Sequence, residues 1–562
     1  MKTQALLNRA IAYCDSEVTN KLPYLVTDKE SADFGGLFVQ SIGFCSSTHV
    51  ETAGFIRHMG YSYCSKGSRY YNDKNLYERI FEALDFVSSK VHESGFIDLR
   101  DRNYDSPPDT AFFIGCLYPI AWLAKNVEGI DRGNELYEKI RPIVVRSAKA
   151  LAENGGFHTP NHRWIIMGAL AGAADVFPEL EVNGAIEKYL GEKIDLNGDG
   201  IYSEKSILYS AHINHKLLDA YYYTKNEYLA DCVVKNCRCI LDFMNSDTSI
   251  LTSISIRQDN GRKVFPTEFI SGFYFAAKRT GDARFYSAID AICRKNTVDD
   301  EAFIYILARN PEWINDEIDA PEFKQSEVRF LSDTGVWAYN RDELDVFMLG
   351  GVDTQLCIRF GDVFLKGIKI FAPYFSNVQH LGCDLTPTEK GAKMTTRCFY
   401  SDEQSIHMPG YWKPLGREVT FKELPYNNLK DRERLERPSV SYTMDLEKTD
   451  RGFDLTVSSE GGVEGAHFAL QFDFELGGTA VTESTFEKVD EQSEKLLTKG
   501  YMAYRRGVHS IKIGPGFFEH AMTAGTRNAF SVSMTANLPF KKTVHIELER
   551  LDGKDATAFY TI

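Results

Sequence analysis

Up to about residue 312 the apolar side chains recur every three or four positions, the spacing that gathers them on one face of a helix. The runs LLNRAIAYC (6–14), NLYERIFEALDFVSSKV (75–91), TAFFIGCLYPIAWLAKNV (110–127) and ELYEKIRPIVVRSAKALAEN (135–154) carry this pattern. It continues in the stretch beginning at Asn161 and in 207–224, 227–244, 268–281 and 283–296. Ten or so helices joined by short polar loops predict a solenoid of hairpins or a closed ring of helix pairs. No fixed-length repeat is visible, which favours the ring. After INDEIDAPEFKQSEV (314–328) the period falls to two: 336–351, 354–368, 467–478, 509–516, 529–539 and 543–551 read as strands punctuated by Gly, Pro and Asn. The expected fold class is therefore α+β and multidomain. A ring of helices is expected over 1–318 and an antiparallel, sandwich-like sheet assembly over 319–562, with the change of texture falling at 313–326.

Composition narrows the class of function. A chain of 562 residues has room for two to four domains. Its net charge of -15 argues against a nucleic-acid partner, which needs clustered Lys and Arg. The start, MKTQALLNRAIAYCDSEVTNK, reads as an amphipathic helix rather than a signal peptide, and no run approaches the roughly 18 to 20 apolar residues of a membrane span. Eleven cysteines without a CxxC pair suit a reduced protein, so a cytoplasmic location and no membrane partner are expected.

Polar residues that break the patterns are the candidates for chemistry. In TPNHRW (159–164) Thr159 suits an N-cap and Pro160 the first helical position, so Asn161 and His162 fall in the first turn, where backbone N–H groups and the helix dipole favour an anion. The pair reads either as an incidental polar helix start or as a grip on a carboxylate. Downstream, DLNGDG (195–200) copies the opening of a calcium loop, but Ser206 stands where a bidentate Glu belongs, and an Asx-rich turn is the better reading. Tyr202, Glu204, Ser206 and Tyr209 follow at a helix entry. Arg257 and Gln258 lie in an inter-helix loop able to hold carboxylates, or simply solvated. In the β half, His380 stands out in NVQHLGCD, as do His407, Tyr411 and Trp412 in HMPGYW, a ring-rich turn suited to capping a sandwich or lining a sugar cleft. GxSxG, P-loop, GxGxxG and HExxH motifs are all missing.

The order of these features, NHRW opening a central helix and DGIYSEKSILY some forty residues on, followed by a β half, resembles the heparinase II/III-like and alginate-lyase-like polysaccharide lyases. That resemblance implies an incomplete (α/α) toroid followed by β-sandwich sheets. It also implies an enzyme that breaks a glycosidic bond beside a uronic acid by β-elimination and leaves a 4,5-unsaturated sugar. By the same resemblance Asn161 and His162 bind the uronate carboxylate, Tyr209 moves the C5 proton to the leaving O4, and His380 or else His407 with Tyr411 completes the site. Arg257, Gln258 and Trp412 join them as substrate-binding candidates. No cofactor is required by this reading. The HxHxD stretch that would hold a structural zinc in many of these lyases is not evident, and the calcium-like turn lacks its last ligand. The expected partner is a uronate-containing polysaccharide or oligosaccharide, the latter with exo-acting or trimming activity. A glycoside hydrolase or unsaturated-uronyl hydrolase on a similar toroid, and a non-catalytic glycan-binding protein, are the alternatives.

Overall fold

The computed structural model describes residues 2–100, 102–318, 320–374, 383–398, 412–420, 431–433 and 439–551. These divide into two units, one of residues 1–244 and 248–324, the other of 245–247 and 325–562. Among the described residues the first unit holds twelve α-helices. They are α1 (Thr3–Lys21), α2 (Thr52–Cys64), α3 (Lys74–Ser89), α4 (Pro107–Asn126), α5 (Gly133–Asn154) and α6 (Pro160–Val176), then α7 (Asn183–Gly191), α8 (Ile207–Thr224), α9 (Glu227–Asp242), α10 (Ile270–Thr280), α11 (Ala283–Lys295) and α12 (Ala302–Arg309).

Two kinds of helix alternate along this unit, and their sequences say why. Helices such as α11 are amphipathic: Phe285, Ile289 and Ile292 are buried, whereas Arg284, Arg294 and Lys295 face water. Helices α2, α4 and α6 are buried nearly all round. They pack in succession, α2 on α4, α4 on α6 and α6 on α8, while α12 meets both α1 and α10. The result is an (α/α) toroid whose inner helices touch closely because glycines stand at their contacts. A Cβ at Gly60 of α2 would strike Ile120 of α4, one at Gly172 of α6 would strike the ring of Tyr118 on α4, and one at Gly168 of α6 would strike the Lys216 carbonyl of α8. The small residues of GALAGAA in α6 thus set helix spacing. A buried cation adds a further tie. Arg309 of α12 ion-pairs with Asp175 of α6 at 2.5 Å and lies over the rings of Tyr222 on α8, 4.4 Å away, and Trp122 on α4, 5.1 Å away.

In the second unit alternation does the work. Within Val440–Thr449 the residues Val440, Tyr442, Met444 and Leu446 are buried and their neighbours are not, and the same holds for Phe453, Leu455 and Val457 of Gly452–Gly461. Register places Met444 opposite Val457 and Leu446 opposite Leu455. These strands belong to a nine-stranded antiparallel sheet, and an eight-stranded sheet, antiparallel except where Ser493–Leu496 joins Phe530–Asn537, supplies the other layer. One hydrophobic core takes residues from both sheets, for example Met348, Ile358 and Phe472 with Met444 and Ile546, which makes the unit a β-sandwich. Asn245–Asp247, just after α9, counts with this unit: Ser246 donates its backbone N–H and hydroxyl to the buried carboxylate of Asp345. Two of the expected strands are hairpins, 336–351 turning at Asp342, whose φ is 53°, and 354–368 turning at Gly361, whose φ is 52°. No helix among the described residues is long and apolar enough to cross a membrane.

Because Gly168 lies against a backbone oxygen, a side chain there is accommodated only by moving a helix. Gly168→Val is expected to lower unfolding free energy by about 1–3 kcal/mol, the cost of overpacking, and to alter the α6–α8 spacing. Denaturant unfolding checks it, with Gly184→Val, which meets nothing within 4 Å, as the control.

Candidate active site

The first turn of α6 is built as its sequence suggests but is satisfied in an unexpected way. Thr159 occupies the N-cap position with extended backbone, yet its hydroxyl makes no bond to a helix N–H. It donates instead to Asn161 Oδ1 at 2.8 Å, which consumes the acceptor end of the amide and leaves the NH2 as the end on offer. The backbone N–H groups expected to be open at this terminus are in part engaged: that of His162 donates to the Thr159 carbonyl at 3.1 Å, and that of Asn161 favours the charged form of the Glu204 carboxyl. Glu204 and the turn before it are pinned to α6 through Asp195, which accepts from Trp164 Nε1 and from the hydroxyl of Ser203. Asn197 Oδ1 closes that turn by accepting from the N–H groups of Asp199, Gly200 and Ile201.

Ser206 caps α8, accepting from the Tyr209 N–H at 3.3 Å. Its hydroxyl donates to the buried Asp259 at 3.0 Å, and Asp259 also accepts from the Ile207 N–H at 2.8 Å and from Ser255 at 2.5 Å. A carboxylate clamped at the N-terminus of α8, where the dipole favours it, thereby fixes the loop 255–262 over the helix start. That is why Arg257 and Gln258 reach Tyr209. The Arg257 guanidinium lies 5.0 Å from the Tyr209 ring centre, and the phenol donates to Gln258 Oε1 at 3.4 Å. Arg257 also pairs with Glu204 at 3.6 Å. Its charge lowers the value of His162, which burial above all, with His158 assisting, drives down to about 4. Burial raises the Glu204 carboxyl, with Arg257 opposing.

Thus Asn161, His162, Tyr209, Arg257 and Gln258 are gathered at one place, joined by Glu204. Four buried polar atoms there lack a protein partner: Asn161 Nδ2, His162 Nδ1, Glu204 Oε2 and Arg257 Nε. Most buried polar atoms in folded proteins find a partner, so four of them brought together at one place mark a site shaped for another molecule. Trp412 is half-buried in the second unit. His380, His407 and Tyr411 lie outside the described residues.

Sequence reasoning passed over a second group on α8. Tyr209, His212, Lys216 and Asp219 follow one another at intervals of three or four, a polar stripe on a helix otherwise rich in apolar residues, and that spacing was the available signal. His212 presents its ring edge to Tyr209 at 6.5 Å between centres, and its Nε2 is 4.0 Å from Glu268 Oε2. Burial holds His212 down to about 4 and, with Asp299, pushes Glu268 up to about 7. Both side chains line a cavity of about 390 Å³ inside the helical unit.

No protein-family model matches the sequence, and no curated protein matches it either. Solved structures do. The chain superposes on heparinase III with a TM-score of 0.54 at 11% identity, over 98% of this chain and 86% of that one. On Paenibacillus xanthan lyase the TM-score is 0.57 at 10% identity, over 98% and 57%. On the chondroitin AC lyase of Streptomyces coelicolor A3 it is 0.53 at 10%, over 98% and 80%. At such identities the likeness is one of fold, and the fold is that of polysaccharide lyases, the group that NHRW and DGIYSEKSILY resemble.

The raised value of Glu268 has a thermodynamic consequence. Its folded value of about 7 exceeds the ordinary 4.5, so between those values the folded state holds the proton more tightly and stability falls as pH rises. Glu268→Gln is therefore expected to melt above the parent at about pH 8, with the difference vanishing below about pH 4.5. Thermal melts of both proteins across that range check this, and a difference independent of pH refutes it.

Proposed function

We propose that this chain cleaves a uronate-containing polysaccharide or oligosaccharide by β-elimination. The observation that carries the reading is the set of partnerless polar atoms around Tyr209 and Arg257, above all the Asn161 amide turned so that its NH2 is on offer beside His162. A proton next to an ionised carboxylate is very weakly acidic, because its removal puts further charge on that carboxylate. Donors held in place before the reaction stabilise that charge without reorganising. Asn161 Nδ2 and an imidazole N–H of His162, neutral at physiological pH, would bind the carboxylate oxygens. Once its own proton has passed to solvent, the Tyr209 phenolate would take the C5 proton as the C4=C5 double bond forms and the C4–O4 bond breaks, and the phenol so formed would return that proton to the departing O4. Arg257, over the Tyr209 ring, would hold that ring in place during the transfer. Atoms balance without added water.

Hydrolysis is a second reading, supported by Glu268. A carboxyl raised to about 7 beside Asp299 has the makings of an acid and base pair. The two reactions part in their products: elimination gives a conjugated 4,5-unsaturated uronate absorbing in the near ultraviolet, hydrolysis gives none.

A panel of uronate polymers and oligosaccharides is expected to yield such a chromophore. Tyr209→Phe should lower kcat by about 100- to 10,000-fold with KM little changed. Asn161→Ala should cost about 100-fold or more in kcat. Reducing ends that appear without absorbance, and are lost in Glu268→Gln but retained in Tyr209→Phe, would establish hydrolysis instead.

A further inference from the structure

The cavity beside His212 has an unusual balance of charge for a protein whose fold neighbours include a heparan sulfate lyase and a chondroitin AC lyase. Three basic side chains with obligate charge line it, and each already has a carboxylate. Lys21 pairs with Glu17 at 2.6 Å, Arg57 with Glu301 at 2.5 Å and Lys216 with Asp219 at 3.0 Å. Lys216 also donates to the Tyr118 hydroxyl at 2.6 Å. Three more carboxyl groups line the cavity with no lysine or arginine partner among the described residues: Glu268, Asp299 and Asp300. Each keeps a buried oxygen that no protein donor satisfies, Glu268 Oε2, Asp299 Oδ1 and Asp300 Oδ1. The histidines around them add no cation. His49, His212 and His215 are all driven to about 3 or 4, chiefly by burial, and stay neutral.

The cavity is therefore rich in carboxyl oxygens and poor in free positive charge. Its apolar lining mixes Phe112, which stacks on His49 at 4.5 Å, with Val50, Pro119 and Ile306. Acceptors beside ring faces suit a sugar that offers O–H donors at its edge and C–H groups on its face. A sulfate group fits badly here, since it would meet oxygens of like character and find every cation engaged. Moving one of those cations to it would strand a buried carboxylate.

His212 belongs both to the cavity wall and to the neighbourhood of Tyr209, its ring 6.5 Å from that of Tyr209 between centres, so a chain bound at Tyr209 would bring a neighbouring ring toward the cavity. We infer that this cavity receives the sugar adjoining the cleaved bond and selects an unsulfated ring, so that the substrate is an unsulfated uronate oligosaccharide; this rests on the elimination reading above.

Matched tetrasaccharides, unsulfated and sulfated, of chondroitin, of the heparan backbone and of alginate test it by titration calorimetry against the full-length Tyr209→Phe chain. An unsulfated member is expected to bind about tenfold or more tightly than its sulfated counterpart. Adding Glu268→Gln and Asp299→Asn should narrow that gap by about tenfold, and Asp299→Asn alone by less, with circular dichroism confirming that each variant is folded. Sulfated ligands binding as well as unsulfated ones, a gap unmoved in the folded variants, or no binding of any of the six overturns the inference. The elimination reading fails separately: if the preference holds but the unmutated chain yields no chromophore from a ligand it binds, the cavity assignment stands and the chemistry does not.

Discussion

The contact of α6 with α8 at Gly168 is the constraint on which the candidate site rests. Asn161 stands two turns before Gly168 on one helix, and Tyr209 stands two turns before Lys216 on the other. Backbone touching backbone at that level leaves no slack of the kind a longer side chain would introduce by repacking. Each helix start is then braced from outside: Asp195 holds the turn carrying Glu204 against Trp164 of α6, and Asp259 holds the loop carrying Arg257 against the first turn of α8. Arg257 and Glu204 pair across the space between the two braces. The side chains that would meet a ligand are thus few and mobile only at their tips, while the groups that place them are glycine, capping residues and buried carboxylates.

Much of this was legible in order rather than in geometry. Thr159 and Pro160 announce a helix start, and the helix begins at Pro160; the switch from a helical period to a period of two separates the toroid from the sandwich. Helix α2 was not legible, because a segment buried all round has no polar face to mark its period, and α12 is too short at eight residues to show one. The long alternating runs concealed hairpins, since the turn at Asp342 uses a non-glycine residue with positive φ and carries no Gly-containing turn signature. Strands Val440–Thr449 and Gly452–Gly461 alternate plainly in VSYTMDLEKT and GFDLTVSSEG, and the charged residues at their ends, which face water, obscured them. In the site, Asn161, His162 and Tyr209 stood out by residue type. What could not be read was that the Asn161 amide oxygen is taken by Thr159, which depends on a side-chain rotamer, or that Asp259 would carry Arg257 to Tyr209, which depends on a contact between segments distant in sequence.

Protonation inside the helical unit follows from burial more than from composition. The chain carries a net charge of -15, yet the interior of the toroid keeps His162 and His212 neutral and raises Glu268 and Asp300 toward their neutral forms. Where charge persists it is paired at short range, as in Arg57 with Glu301. Desolvation of an ion costs more than most single contacts return, so a polar interior is stable only when it sheds charge or matches it. One consequence joins the two groups on α8. Neutral imidazoles and amides bind by direction, not by field, and they discriminate among ligands through the number and placement of donors and acceptors. On the elimination reading, a toroid interior assembled this way would suit a ligand whose own polar groups are mostly hydroxyls, with its single carboxylate met by Asn161 and His162.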